Sequence, residues 1–169
     1  VTALAAALAL LVSALDCPPG AERRGAAPPE DFEEWCETKD EAGRALRHGP
    51  SRRYYDDGGL WLEERYDRGV RDGPSLELHR NGKKAREGSW AKGGRTGRWT
   101  VWFASGTVEE EAEWRDGVPH GRFAAFWPSG GKKSEGRRCG GAPCGPWRSW
   151  DERGALLGTS EYAEPSLAP

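Results

Sequence analysis

The chain lacks an excess of charge of either sign. Its 25 Lys and Arg stand against 27 Asp and Glu, for a formal net charge of -2. The two signs are interspersed, which excludes the basic patch that nucleic-acid binding calls for. Aliphatic residues are scarce beyond the first fifteen positions, and charged residues make up 31% of the chain. That balance excludes a globule with a thick aliphatic core. Histidine is confined to His48, His79 and His120, and cysteine to Cys17, Cys36, Cys139 and Cys144. No second Cys or His pair lies at zinc-site spacing from Cys139 and Cys144. Nucleophile motifs, phosphate loops and cofactor fingerprints are missing too. The sequence therefore predicts no enzyme, no metal site and no cofactor.

What is present is aromatic residues and glycine. Aromatics reach 10%, with nine Trp, too many for plain disorder. The glycines keep time. One row is Gly49, Gly73, Gly97, Gly121 and Gly145; a second is Gly58, Gly82, Gly106, Gly130 and Gly154; a third is Gly69, Gly93, Gly117 and Gly141. Every step is 24 residues, so fourteen of the 24 glycines fall on three phases of one period. Such self-similarity is the signature of a repeat architecture. All fourteen are expected at turns.

Rings follow the same beat. Two positions after the first-row glycine come Ser51, Ser75, Trp99, Phe123 and Trp147; five after it come Tyr54, Leu78, Trp102, Phe126 and Trp150. Seventeen after it come Tyr66, Trp90, Trp114, Arg138 and Tyr162. Between them lie turn-formers such as Asp57-Gly58, Asn81-Gly82 and Asp116-Gly117, which signal two-residue hairpins with positive φ at both central residues. Each period thus reads as one β-hairpin. The expected fold is all-β, an elongated single-layer antiparallel meander of about five 24-residue hairpins. Strands about 4.8 Å apart would advance the sheet about 10 Å per repeat. His48 and His120 then lie three repeats apart and cannot share a metal. Successive strand residues face opposite sides, so both faces are expected to carry rings. A Glu row (Glu63, Glu87, Glu111, Glu135) reads as an acidic ladder offset by neighbouring Lys and Arg. The rings are expected chiefly to hold the sheet together. The richer half of the array nominates a binding face of Trp90, Trp99, Trp102, Trp114, Phe126, Trp127, Trp147 and Trp150.

Outside the array, residues 1–16 resemble a signal peptide, with an uncharged apolar run from Val1 to Leu15 that is short for a membrane span. Residues 17–30, rich in Pro, Gly and Arg, read as a linker. Residues 31–46 read as a cap or degenerate half-repeat with a strand near Asp31–Thr38, residues 47–163 as the repeat domain and 164–169 as a tail. Cys17 suits either a lipid anchor or a bridge to Cys36. Cys139 and Cys144 suit a cross-turn disulfide, with free thiols as the alternative. An even cysteine count and an apolar leader point to an exported protein at the periplasm, outer membrane or cell surface.

The phrase Trp114-Arg115-Asp116-Gly117-Val118-Pro119-His120-Gly121, followed by Gly130, resembles a MORN repeat (membrane occupation and recognition nexus). Trp or Phe two residues after the first glycine, and the Glu row in the second strand, resemble the bacterial variant found in antitoxin-like proteins. Cys144-Gly145-Pro146-Trp147-Arg148-Ser149-Trp150 fits that variant well, and the resemblance spans about Arg47 to Tyr162. It implies scaffolding through protein or lipid contact, and a toxin-neutralising label. Three functions are therefore expected in order: an exported non-enzymatic module binding a protein or envelope component, a carbohydrate- or cell-wall-binding array, and a cytoplasmic toxin-neutralising protein.

Overall fold

The computed structural model describes residues 15–164, all β and turn. The strands are β1 (Glu22–Ala26), β2 (Glu33–Lys39), β3 (Ala45–Tyr54), β4 (Leu60–Asp67), β5 (Val70–Leu78) and β6 (Lys84–Ala91). They continue as β7 (Gly94–Trp102), β8 (Val108–Arg115), β9 (Val118–Phe126), β10 (Lys132–Cys139), β11 (Ala142–Trp150) and β12 (Leu156–Tyr162). All twelve form one open sheet in sequence order, with antiparallel pairing throughout. The expected meander is the observed fold, and each repeat contributes one hairpin. The apolar leader lies outside the described residues except for Leu15 and Asp16. Within the stretch read as a linker the structure places β1, which pairs with β2 from Glu22↔Glu37 to Ala26↔Glu33. Glu22–Ala26 holds no β-branched or aromatic residue and so carries no strand signal; pairing to β2 supplies the order.

Two turn types alternate, and they differ from expectation. The third-row glycines close two-residue turns with positive φ at both positions. Arg68-Gly69 has φ of 44° and 86°, Lys92-Gly93 of 49° and 85°, and Asp116-Gly117 of 50° and 81°. The second-row glycines instead end three-residue loops. Gly82 N–H donates to His79 O, and His79 N–H donates to Lys83 O. Only the glycine, at 76°, has positive φ there, and Asn81 does not. This is a type I turn closed by a glycine bulge. Asn-Gly at residues 81–82 is therefore not the two-residue turn its sequence suggests.

The first-row glycines are corrected as well. Gly49, Gly73, Gly97, Gly121 and Gly145 lie inside β3, β5, β7, β9 and β11, not at turns. Between β4 and β5 the register passes from Glu64↔Ser75 to Tyr66↔Arg71, so Asp72, Gly73 and Pro74 together face Arg65. The same skip recurs at every such junction. These are bulges, and φ of 109° at Gly73 shows why glycine occupies the position.

Repeats are stitched along both margins. Gly69, Gly93, Gly117 and Gly141 donate their N–H groups to the carbonyls of Arg47, Arg71, Arg95 and Pro119 at 2.7–3.0 Å. At the other margin Tyr55 Oη donates to Leu78 O at 2.7 Å, His79 Nε2 lies 2.8 Å from Trp102 O, and Trp127 Nε1 donates to Trp150 O at 3.2 Å.

One part of the core is a row of side chains running across the strands, and Glu34, Cys36, Tyr54 and Cys144 are buried off it. Register places Ser51, Glu64, Ser75, then Gly88, Trp99, Ala112, Phe123 and Gly136, and finally Trp147, on one line. Large and small alternate along it, so each ring lies over a neighbour that leaves room. Trp99 is 4% exposed and Ala112 5%. The Cys17–Cys36 and Cys139–Cys144 disulfides are both formed, resolving the open alternatives at those residues.

Candidate functional site

Strand alternation divides the nominated rings between the faces, because the separation of Trp99 and Trp102 is odd and β7 has no extra residue between them. Trp90, Trp99, Trp114 and Trp147 share one face. Trp102, Phe126 and Trp150 lie on the other, and Trp127 sits at the turn margin. A single eight-ring binding face does not exist.

On the first face the rings are interleaved with guanidinium groups. Trp90 and Trp99 meet edge to face with centroids 5.2 Å apart. Arg95 lies 4.7 Å from the Trp99 ring, 4.7 Å from Trp114 and 5.6 Å from Trp90. Burial holds the Arg95 guanidinium below its ordinary pKa, and the charge of Arg86 pushes the same way. Phe123 and Trp147 stand 5.2 Å apart, with Arg138 4.6 Å from the first ring and 5.7 Å from the second. Indole donors are turned into the sheet: Trp99 Nε1 bonds Ser89 O at 3.1 Å and Trp147 Nε1 bonds Arg137 O at 3.0 Å. In the first two repeats Ser51 and Ser75 leave space that Glu64 fills. Its carboxylate accepts from Tyr66 Oη and is 3.1 Å from Arg71 Nε. Ring faces on this side are covered by cations, an arrangement that stabilises each ring by about 0.5–2 kcal/mol.

The opposite face bears the Glu row. Register aligns Arg52↔Glu63, Glu63↔Leu76, Glu87↔Thr100, Glu111↔Ala124 and Glu135↔Arg148. Each acid has a cation nearby: Arg52 Nε is 2.7 Å from Glu63, Lys84 2.8 Å from Glu87, Lys132 2.6 Å from Glu135, and Arg98 pairs with Glu111. The expected charge-offset ladder is what forms. Along it runs a groove of about 440 Å³ lined by residues of β7–β11, including Arg98, Glu111, Arg122, Ala124, Arg137 and Arg148. Depressions of about 130 Å³ and 610 Å³ continue it at the same phases toward the first repeat. Arg122 and Arg137 were not among the nominated residues. They are off the glycine and ring rows, and only the register shows that they face each other.

At the N-terminal end Glu34, 1% exposed, accepts from Tyr54 Oη at 2.6 Å and lies 2.7 Å from Arg23. Burial, and then the bond to Glu34, pushes the Tyr54 phenol up to about 12. His48 Nδ1 lies 3.4 Å from Arg68 N and 3.2 Å from Asp67, and His79 belongs to the marginal stitching. Among the described residues, ligand-type atoms cluster at Cys139, Cys144 and Glu164, where both sulfurs are committed to the disulfide.

The fold and its two faces define a hairpin-repeat module. Residues 47–68 and 95–116 match the family described as MORN repeat variant. They correspond to β3–β4 and β7–β8, and the other three hairpins repeat their bulge and turn positions. No curated protein matches the chain. Among solved structures, a chain titled "Crystal structure of GtfA/B complex bound to UDP and GlcNAc" is similar at 11% identity and a TM-score of 0.24. The likeness covers 73% of this chain and 25% of that one, so this chain spans about a quarter of its length.

Proposed function

We propose that the chain is a non-enzymatic repeat module that works outside the cytoplasm and holds a protein partner across the face bearing Trp102, Phe126 and Trp150. The observation that carries this reading is the open groove of about 440 Å³ on that face, flanked by polar groups on neighbouring strands. An antiparallel sheet with a long polar-walled groove suits an extended polypeptide. Sugar stacking asks for free ring faces, whereas Arg95 alone covers three rings of the opposite side. The two disulfides suit an oxidising compartment such as the periplasm or cell surface.

Ala124 and Ala125 are adjacent in β9 and face opposite sides. A photo-crosslinking residue at each position, in the native host, tests the proposal. Crosslinks to a protein from position 124 and few from position 125 are expected. Crosslinks from position 125 alone, or to glycan or lipid alone, would overturn it. Fractionation tests export, and full-length protein recovered from the cytoplasm with reduced cysteines would count against it.

A further inference from the structure

The period gives every repeat the same cradle on the groove face, which makes one repeat a control for another. In the first repeat the cradle is Pro50, Arg52, Glu63 and Arg65, and the chain's own Leu15–Pro19 strap lies against it. Leu15 is 6% exposed. Pro18 sits so close to Gly49 that a Cβ there would be 2.5 Å from Pro18 Cδ. The Cys17–Cys36 disulfide holds the strap down. This face therefore accepts a short, extended, proline-containing segment with one acidic residue, Asp16.

Three periods further on the same positions are Arg122, Ala124, Glu135 and Arg137. There the groove is open, and two substitutions change its character. Ala124 stands where Arg52 stood, which makes room. Arg122 stands where Pro50 stood, which adds a cation. Arg122 and Arg137 are register partners across β9 and β10. Like charges directly opposite are destabilising. The corresponding pairs elsewhere are Pro50↔Arg65, Pro74↔Ser89, Arg98↔Glu113 and Pro146↔Glu161, none of them like-charged. The nearby carboxylates are committed to other groups. Glu111 pairs with Arg98, Glu135 with Lys132 and Arg148, and Glu113 accepts the backbone N–H of Arg122 at 2.7 Å. Among the described residues no carboxylate forms an ion pair with either guanidinium.

We infer that the fourth-repeat cradle binds an extended acidic segment of a partner protein, with a carboxylate held between Arg122 and Arg137 and the chain laid across the strands as Leu15–Pro19 is in the first repeat. The inference rests on the proposed protein-binding function and specifies the chemistry of its ligand. Charge-assisted bonds from guanidinium to carboxylate are the strong kind, and they supply what the opposed cations lack.

The test uses the full chain and a short fluorescein-labelled peptide containing Leu-Asp-Ser-Pro-Pro, its Leu-Asn-Ser-Pro-Pro counterpart, and vesicles containing anionic lipid. The Asp peptide is expected to bind about tenfold more tightly than the Asn peptide at low salt. The R122Q/R137Q variant should lose that difference while binding the Asn peptide like the parent. Ala124→Trp, which fills the groove, should weaken both peptides. Near-ultraviolet circular dichroism confirms that each variant is folded. Equal affinity for both peptides with A124W still blocking them overturns the carboxylate assignment and leaves the groove reading intact. Peptide binding indifferent to A124W overturns the groove reading itself. Binding of the vesicles and of neither peptide overturns both.

Discussion

Gly88 lies under the Trp99 indole with no room for a methyl group: a Cβ at Gly88 would stand 2.2 Å from Trp99 Cδ2. Gly136 bears the same relation to Trp147, at 2.5 Å. Neither glycine has a positive φ, so what excludes a side chain is the ring and not the backbone. Gly88→Ala should therefore destabilise the protein by roughly 1–3 kcal/mol, the usual penalty of overpacking. Trp99→Ala alone should also be destabilising through lost burial. The double variant should be more stable than the sum of the two singles predicts, because the small ring-free neighbour accepts the new methyl. Urea denaturation of the four proteins measures this coupling, and strict additivity would show that the steric relationship is not what selects glycine.

The two turn types make opposite predictions for similar-looking residues. Arg68, Lys92 and Asp116 are non-glycine residues at φ of 44–50°, a region that asparagine and glycine tolerate better. Lys92→Asn should stabilise by several tenths of a kcal/mol to about 1. Asn81 has no positive φ to relieve. Its Nδ2 donates to Ala104 O at 2.7 Å and its Oδ1 accepts from Lys83 N at 3.1 Å. Asn81→Gly should consequently destabilise by about 1 kcal/mol. Thermal melts of the two variants should move in opposite directions, and parallel shifts would contradict the turn assignment.

The period, the hairpins and the meander were legible because glycine and ring rows recur every 24 residues and local strand and turn chemistry agree with them. The turn types were not, since Asn-Gly is compatible with both loop lengths, and the choice is made by pairing of the flanking strands. The bulges at Gly49, Gly73, Gly97, Gly121 and Gly145 look like turns in sequence because a positive-φ glycine is alike in either setting. The eight-ring binding face failed for a simple reason: rings on one strand at odd separation cannot share a side. The groove residues Arg122 and Arg137 carry no signal in sequence because their significance lies in being opposite one another. That is a property of register, and one-residue differences in bulge placement decide it.

Tyr54 and Glu34 give the fold a signature at high pH. The phenol has its pKa raised from 10.0 to about 12 by burial and by its bond to the Glu34 carboxylate. A pKa raised in the folded state means that the unfolded chain releases this proton first as pH climbs. The associated stability is fully present below pH 10 and is lost as pH rises through about 12. Tyr54 should ionise late in an absorbance titration, and Tyr54→Phe should remove that late step. The same variant should cost about 1–3 kcal/mol near neutral pH, because it strips a donor from a buried carboxylate. A late step that survives in Tyr54→Phe would assign it to another tyrosine.

The strap over the first cradle yields the prediction that joins stability to binding. The Cys17–Cys36 disulfide closes a loop with a sequence separation of 19, so a Cys17→Ala/Cys36→Ala variant should lose on the order of 3 kcal/mol in the loop-entropy account. Freed of its tether, the strap competes for Pro50, Arg52, Glu63 and Arg65 only through its own contacts. A peptide carrying Leu-Asp-Ser-Pro-Pro should then find a second cradle. Calorimetric titration should show its stoichiometry rise from one toward two, with Arg65→Gln suppressing the added site and R122Q/R137Q weakening the original one. Pro50 faces Arg65 in the first cradle where Arg122 faces Arg137 in the fourth, so the added site lacks the opposed guanidinium pair and should depend less steeply on salt. An untethered variant that is folded, less stable and still binds one peptide would show that the strap's position in the first repeat says nothing about what the fourth repeat holds.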